Sequence, residues 1–141
     1  MMREYLFRGN KTSNGEWVYG DLWCNLYGGR RVFIVSPINI QDIMGVNEVN
    51  LETIGQYTGM LDKNGTKIFE GDIIDFFGRS DGDGYGVVKY DAYETEFGFE
   101  YDNIYRSLGK NFYPENIEVV GNIYDNPELL GDEENDKRKN R

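Results

Sequence analysis

The sequence of 141 residues contains no histidine. That absence removes Ser-His-Asp and Cys-His nucleophilic catalysis, the commonest general base at neutral pH, and most zinc sites. An enzyme built on this chain would depend on carboxylates, lysine, tyrosine or an oxygen-liganded metal. Cysteine is almost as scarce: Cys24 stands alone, so no internal disulfide forms. It follows Leu22 and Trp23 in a strand-like stretch, which predicts a buried packing thiol. There is no signal-peptide pattern and no apolar run near the length of a membrane span. The chain therefore reads as cytoplasmic, with no membrane partner.

What the chain does have is glycine and aromatic side chains. Eighteen glycines against three prolines, with 11 Tyr and 8 Phe, suit short strands separated by tight turns. The formal net charge is −10. The segment Asp132–Arg141 holds four acids and four bases, so the body carries the whole excess. Such a body repels nucleic acid and anionic membrane surfaces, so direct nucleic-acid binding is not expected.

Arg3–Gly9 alternates, with Tyr5 and Phe7 on one face, and the other strands are short runs separated by turns about every eight to twelve residues. Arg3–Gly9, Trp17–Leu26, Arg31–Val35, Asn50–Tyr57, Lys67–Phe77, Gly86–Tyr90, Phe97–Tyr101 and Ile117–Tyr124 are predicted strands. Gly71 within Lys67–Phe77 suggests a bulge or a close backbone approach. Ile38–Val49 reads as an irregular connector with one helical turn, and Asn103–Lys110 as a short helix. Asn126-Pro127 offers a cap and a first helical residue for Glu128-Leu129-Leu130. The fold class is mainly β (β-dominated α+β): short antiparallel strands in small barrel-like units, with few short helices. Residues from about Gly65 to Tyr124 form a five-stranded barrel-like unit. The expected organisation is an N-terminal β subdomain over 1–55, a C-terminal one over 56–130, and a disordered charged tail over 131–141.

Two stretches resemble each other. Asn14-Gly15 leads through Trp17-Val18-Tyr19 to Gly20-Asp21-Leu22. Asn64-Gly65 leads through Lys67-Ile68-Phe69 to Gly71-Asp72-Ile73, with Glu70 as one extra residue. Asn-Gly supplies the positive φ angles of a tight hairpin. The Gly-Asp pairs are read structurally, since Asp bonds nearby backbone amides where a strand bends.

No metal or cofactor site emerges. Asp81-Gly82-Asp83-Gly84 opens like a calcium loop, but Tyr85 falls at the fifth position and Ala92 at the twelfth, where ligands are required. A glycosidase needs two carboxylates across a cleft. Asp72, Asp75, Asp91, Glu94, Glu96 and Glu100 are available, yet no spacing selects a pair. Gly28-Gly29 precedes Arg30-Arg31 and a strand, so no helix N-terminus is there to hold a phosphate.

Met2–Gly9, Trp17–Leu22, Ile54–Ile73, Gly86–Asp91, Phe97-Gly98-Phe99 and Ile117–Leu130 resemble, in order, the YopX family of phage and prophage proteins. Gly-Gln-Tyr-Thr-Gly at 55–59, Glu-Gly-Asp-Ile at 70–73 and Gly-Asn-Ile-Tyr-Asp-Asn-Pro-Glu-Leu-Leu at 121–130 are its most specific segments. The resemblance implies a phage-encoded cytoplasmic protein, mainly β, with no catalytic residues to carry across. The expected function is a non-enzymatic protein-binding module acting on a host or phage protein, with homo-oligomerisation as a further expectation. The alternative is an acidic nucleic-acid mimic that occupies a host nucleic-acid-binding protein. Loops carry contacts more often than strands, which selects Gln56, Tyr57, Asp62, Lys63, Glu70 and Asp72 as the candidate binding residues.

Overall fold

A computed structural model describes residues 3–25, 29–36, 45–77, 85–110 and 112–131. The strands run in chain order β1 (Phe7–Asn10), β2 (Trp17–Asn25), β3 (Arg31–Val35), β4 (Val46–Val49), β5 (Gly55–Leu61), β6 (Lys67–Phe69), β7 (Asp72–Phe76), β8 (Gly86–Asp91), β9 (Glu96–Tyr101), β10 (Ile104–Ser107) and β11 (Ile117–Asn122). Hydrogen bonds order them β4-β3-β2-β1-β5-β6 in one antiparallel sheet and β10-β9-β8-β7-β11 in the other. The protein is thus β-dominated, and among the described residues the helical segments are single 3-10 turns at Leu51–Thr53, Pro114–Asn116 and Pro127–Leu130. The chain divides into two compact units, residues 1–59 and 60–141.

In the first unit, β2 alternates buried Val18 and Gly20 with exposed Tyr19 and Asp21, as period-two patterning requires. Val18, Val32, Ile34 and Val49 form its core, with Phe7, Leu22 and Ile54 packed against them. The sheet curls until Lys11 bridges Val49. The Asn50 N–H donates to the Asn10 carbonyl (2.9 Å), and the Asn10 N–H to Thr53 Oγ1 (2.9 Å).

In the second unit, Ile68, Ile74, Phe76, Val88, Phe99, Tyr101 and Ile117 make one core. Its aromatic centre is tight: the rings of Phe76 and Phe99 lie 4.7 Å apart, and Phe112 meets Phe99 edge-on at 5.0 Å. A second cluster of Ile73, Val87 and Leu130 brings the C-terminal 3-10 turn onto that unit.

Several elements differ from the sequence reading, each for a physical reason. Cys24 is exposed rather than buried, because it falls where β2 loses its covered face. The first strand starts at Phe7 rather than Arg3. Within Ile38–Val49, Val46–Val49 is strand β4, which pairs with β3; residues 38–44 lie outside the described residues. The predicted strand Asn50–Tyr57 begins instead with the 3-10 turn Leu51–Thr53, and β5 follows from Gly55. Lys67–Phe77 is two strands rather than one. Gly71, at φ +89°, takes a left-handed turn between them, and β7 starts in the other sheet. Asn103–Lys110 is no helix: Asp102 and Asn103 both take positive φ (54° and 62°) and turn β9 into β10. That is a hairpin of the primed type, built without glycine. Asn126 does not cap its 3-10 turn; its Oδ1 accepts the N–H of Asn122 (3.1 Å) and closes the preceding turn. The calcium-like residues Asp81–Gly84 and the charged tail from Asp132 lie outside the described residues.

Candidate functional site

The six loop residues chosen from the sequence fall in separate places. Gln56 and Tyr57 lie on β5 in the first unit, and Tyr57 is buried at 6% exposure. Its backbone N–H donates to the Leu6 carbonyl (2.8 Å). Asp62 and Lys63 share the turn after β5, while Glu70 and Asp72 flank the Gly71 turn.

Asp62 and Asp72 are buried at 3% and 2% exposure, and both serve the chain's own backbone. Asp62 Oδ1 accepts the N–H groups of Asn64 and Thr66 (both 2.9 Å), and Oδ2 accepts that of Val119 on β11 (2.9 Å). Burial disfavours the charged form, yet the donated N–H groups and nearby Lys63 outweigh it and hold the carboxyl below its ordinary value. Asp72 Oδ2 accepts the N–H of Phe69 (2.7 Å). Each carboxylate replaces a backbone partner that a bent strand cannot supply. Lys63 is exposed and pairs with Glu118 at 2.7 Å, which raises its pKa. These two border a shallow cavity of about 200 Å³ that Asp75, Phe77 and Glu115 also line. Among the described residues, no group of three acidic or cysteine side chains is arranged to hold a metal ion.

An accessible apolar surface of the first unit lies elsewhere, on the outer face of β2, β3 and β4. Side chains two apart on a strand share a face, as do directly paired residues. Trp23 pairs with Phe33, and Phe33 with Glu48; Asp21 pairs with Val35, and Val35 with Val46. Tyr19 continues the same row along β2. Trp23 (55% exposed), Tyr19 and Val46 are open to solvent, and Phe33 and Val35 are half-buried between them. The rings of Trp23 and Phe33 lie 5.2 Å apart. The Arg31 guanidinium sits 5.3 Å over Phe33 and donates from Nε and an η nitrogen to the two Glu48 carboxylate oxygens (both 3.1 Å). That hydrogen bonding holds Glu48 below the usual carboxylate range. The face is therefore aromatic, with the Arg31–Glu48 pair neutral at one end and the exposed Asp21 carboxylate between Tyr19 and Trp23. Sequence reasoning passed over these residues, although the aromatic side chains at 17, 19 and 23 on alternating positions were the signal.

Charge is divided unequally between the units. Residues 1–59 hold five basic and six acidic side chains, a net −1. Residues 60–141 hold ten basic and nineteen acidic ones, a net −9. On β8 and β9, Lys89 is 3.5 Å from Glu100 and 4.0 Å from Asp91, and Lys110, beyond β10, is 3.7 Å from Glu96. Tyr105 donates its hydroxyl to Glu96 (3.1 Å), and burial together with that bond pushes the phenol above its ordinary range.

Fold and surface together define a small β protein of two units, one acidic, the other nearly neutral with an aromatic sheet face. The YopX protein family matches residues 6–131, nearly the whole chain, so this chain belongs to the YopX family. Among solved structures, the crystal structure of protein EF1440 from Enterococcus faecalis is similar, with a TM-score of 0.60 and 22% sequence identity over 92% of this chain and 99% of that one. At that identity the likeness concerns the fold. No curated protein sequence matches the chain. No helix among the described residues is long and apolar enough to cross a membrane.

Proposed function

We propose that this chain is a non-enzymatic protein-binding module whose contact surface is the outer face of β2, β3 and β4. The observation that carries this reading is the exposure of Trp23 and Val46 beside half-buried Phe33 and Val35, with exposed Tyr19 further along the same row beyond Asp21. Apolar side chains this large and adjacent are uncommon on a free surface, and Trp, Tyr and Arg dominate the binding energy of protein interfaces. The partner is a protein of the phage or its host that carries an apolar patch with basic residues around it. The net charge of −10 favours its approach. Gln56, Lys63 and Glu70, accessible at least in part, are secondary candidates for peripheral contacts.

Trp23→Glu tests the assignment. The substitution places a charge on an already exposed position, so folding is retained, while capture of the partner falls at least about a hundredfold. Equal capture by both proteins, with unchanged circular dichroism, would remove this face from the account.

The uneven charge favours a second reading, in which the −9 of residues 60–141 imitates a nucleic acid and occupies a nucleic-acid-binding protein. Its association would fall steeply with salt, since exposed charges are screened beyond about 8–10 Å at physiological ionic strength. Association through the aromatic face would respond little.

A further inference from the structure

We propose that Asn14 is a site of spontaneous deamidation, and that the Asp62 carboxylate protects the second Asn-Gly pair, Asn64-Gly65, from the same reaction. The glycine backbone nitrogen attacks the carboxamide Cγ of the preceding asparagine. A C–N bond forms and closes a five-membered succinimide, while the glycine nitrogen loses its proton and ammonia leaves. Water then opens the ring at either carbonyl, giving aspartate or isoaspartate. The reaction consumes one water, releases one ammonia and needs no oxidant or enzyme. Glycine is the favourable follower, because no side chain shields its nitrogen.

Both pairs are exposed, with their glycines at positive φ (74° and 80°) in open space, and they differ in what fastens the turn. Asn14 and Gly15 are exposed at the tip of the β1–β2 hairpin. Gly15 N–H donates to the Lys11 carbonyl (2.8 Å), and Asn14 Oδ1 accepts the N–H of Glu16 (3.0 Å). The second bond draws electron density from the Asn14 carboxamide, which makes its carbon a better target. The Lys11 N–H, donating to the Glu16 carbonyl (2.9 Å), also closes the first turn, but the turn containing Asn64 has a buried carboxylate in addition. Gly65 N–H donates to the Asp62 carbonyl (3.0 Å), and the Asn64 and Thr66 N–H groups both end on Asp62 Oδ1 (2.9 Å). The other oxygen holds Val119, and Lys63 N–H bonds the Ile117 carbonyl (2.9 Å), so the turn is fastened to β11. The Gly65 N–H cannot turn toward the Asn64 carboxamide without leaving the Asp62 backbone carbonyl, and the peptides before Asn64 and after Gly65 cannot rotate without breaking bonds to the buried Asp62 carboxylate. The same negative charge opposes loss of the Gly65 amide proton. Conversion at Asn14 adds a negative charge to the unit that is otherwise near neutral, and isoaspartate lengthens the backbone of its first hairpin.

The test is ageing of the full folded chain at neutral pH and physiological temperature. Peptide mass mapping follows amide-to-acid conversion, and isoaspartyl methylation detects isoaspartate. Asn14 should convert at least about ten times faster than Asn64 in the folded protein, and the two should converge in denaturant. Asp62→Ala should raise the Asn64 rate about tenfold and leave Asn14 unchanged. Equal rates in the folded chain, faster conversion at Asn64, or a folded Asp62→Ala variant with an unaltered Asn64 rate would overturn the proposal. Should that variant not fold, the folded-to-denatured rate ratios of the unaltered chain decide the matter alone.

Discussion

The two Asn-Gly to Gly-Asp stretches are nearly identical in pattern and are used differently. In the first, β2 runs unbroken through Gly20, where a Cβ would collide with the Val35 carbonyl of the neighbouring strand, and Asp21 stays exposed. In the second, the extra residue Glu70 accompanies a break: β6 ends at Phe69, Gly71 turns with positive φ, and Asp72 is buried against the Phe69 N–H. One added residue converts a continuous strand into a crossing between sheets, because it reverses which face the following side chains occupy. The same contrast extends to charge and surface. The first unit is near neutral and exposes aromatic side chains on one sheet face. The second carries −9 and invests its best-placed carboxylates in its own backbone.

Both tryptophans, Trp17 and Trp23, lie in the first unit, so their fluorescence reports that unit while far-ultraviolet circular dichroism reports both. This separates effects on the two halves. The largest is expected for Phe99→Ala, which empties the fully buried centre of the second core and costs about 3–5 kcal/mol. Asp62→Ala strands three backbone N–H groups and costs about 3 kcal/mol, again in the second unit. In both variants the dichroism transition should fall well below the fluorescence transition. Coincident shifts would show that the units unfold as one.

Acid should act on the same side of the comparison. Asp62 has a folded pKa below its unfolded one. The stability it contributes is full above the unfolded value of about 3.9 and is lost as pH falls through the folded one. Denaturant midpoints followed by dichroism should drop below about pH 4, and Asp62→Asn should flatten that dependence. Gly20→Ala and Gly71→Ala should each cost about 1–3 kcal/mol for different reasons, overlap with a carbonyl in one and strain at positive φ in the other. The smallest effect is that of Trp23→Ala on stability, under about 1 kcal/mol by chemical denaturation, because the side chain is more than half exposed.

Much of the fold was readable before the structure. Trp17–Asn25, Arg31–Val35, Gly86–Asp91 and Glu96–Tyr101 are short β-branched and aromatic runs set off by glycine-rich turns, the signature of strands. Two strands escaped notice. β4 has only four residues, and part of its fit lies in the Arg31–Glu48 pair, a contact between residues seventeen apart. β10 follows a turn made by Asp102 and Asn103, where glycine was the expected signal for positive φ. The loop acids were visible as acids. Their burial was not, because it depends on backbone N–H groups that arrive from β11, 57 residues away in the case of Val119. The aromatic face was likewise hidden, since strand alternation alone does not tell which side is covered.

The most direct test compares capture of a partner from host lysate by the unaltered chain and by Trp23→Glu, at low and at moderate salt. The account predicts a protein retained by the unaltered chain at both salts and lost from the variant at both. A partner that survives Trp23→Glu and disappears at moderate salt would contradict it, and would place binding on the charge of the second unit.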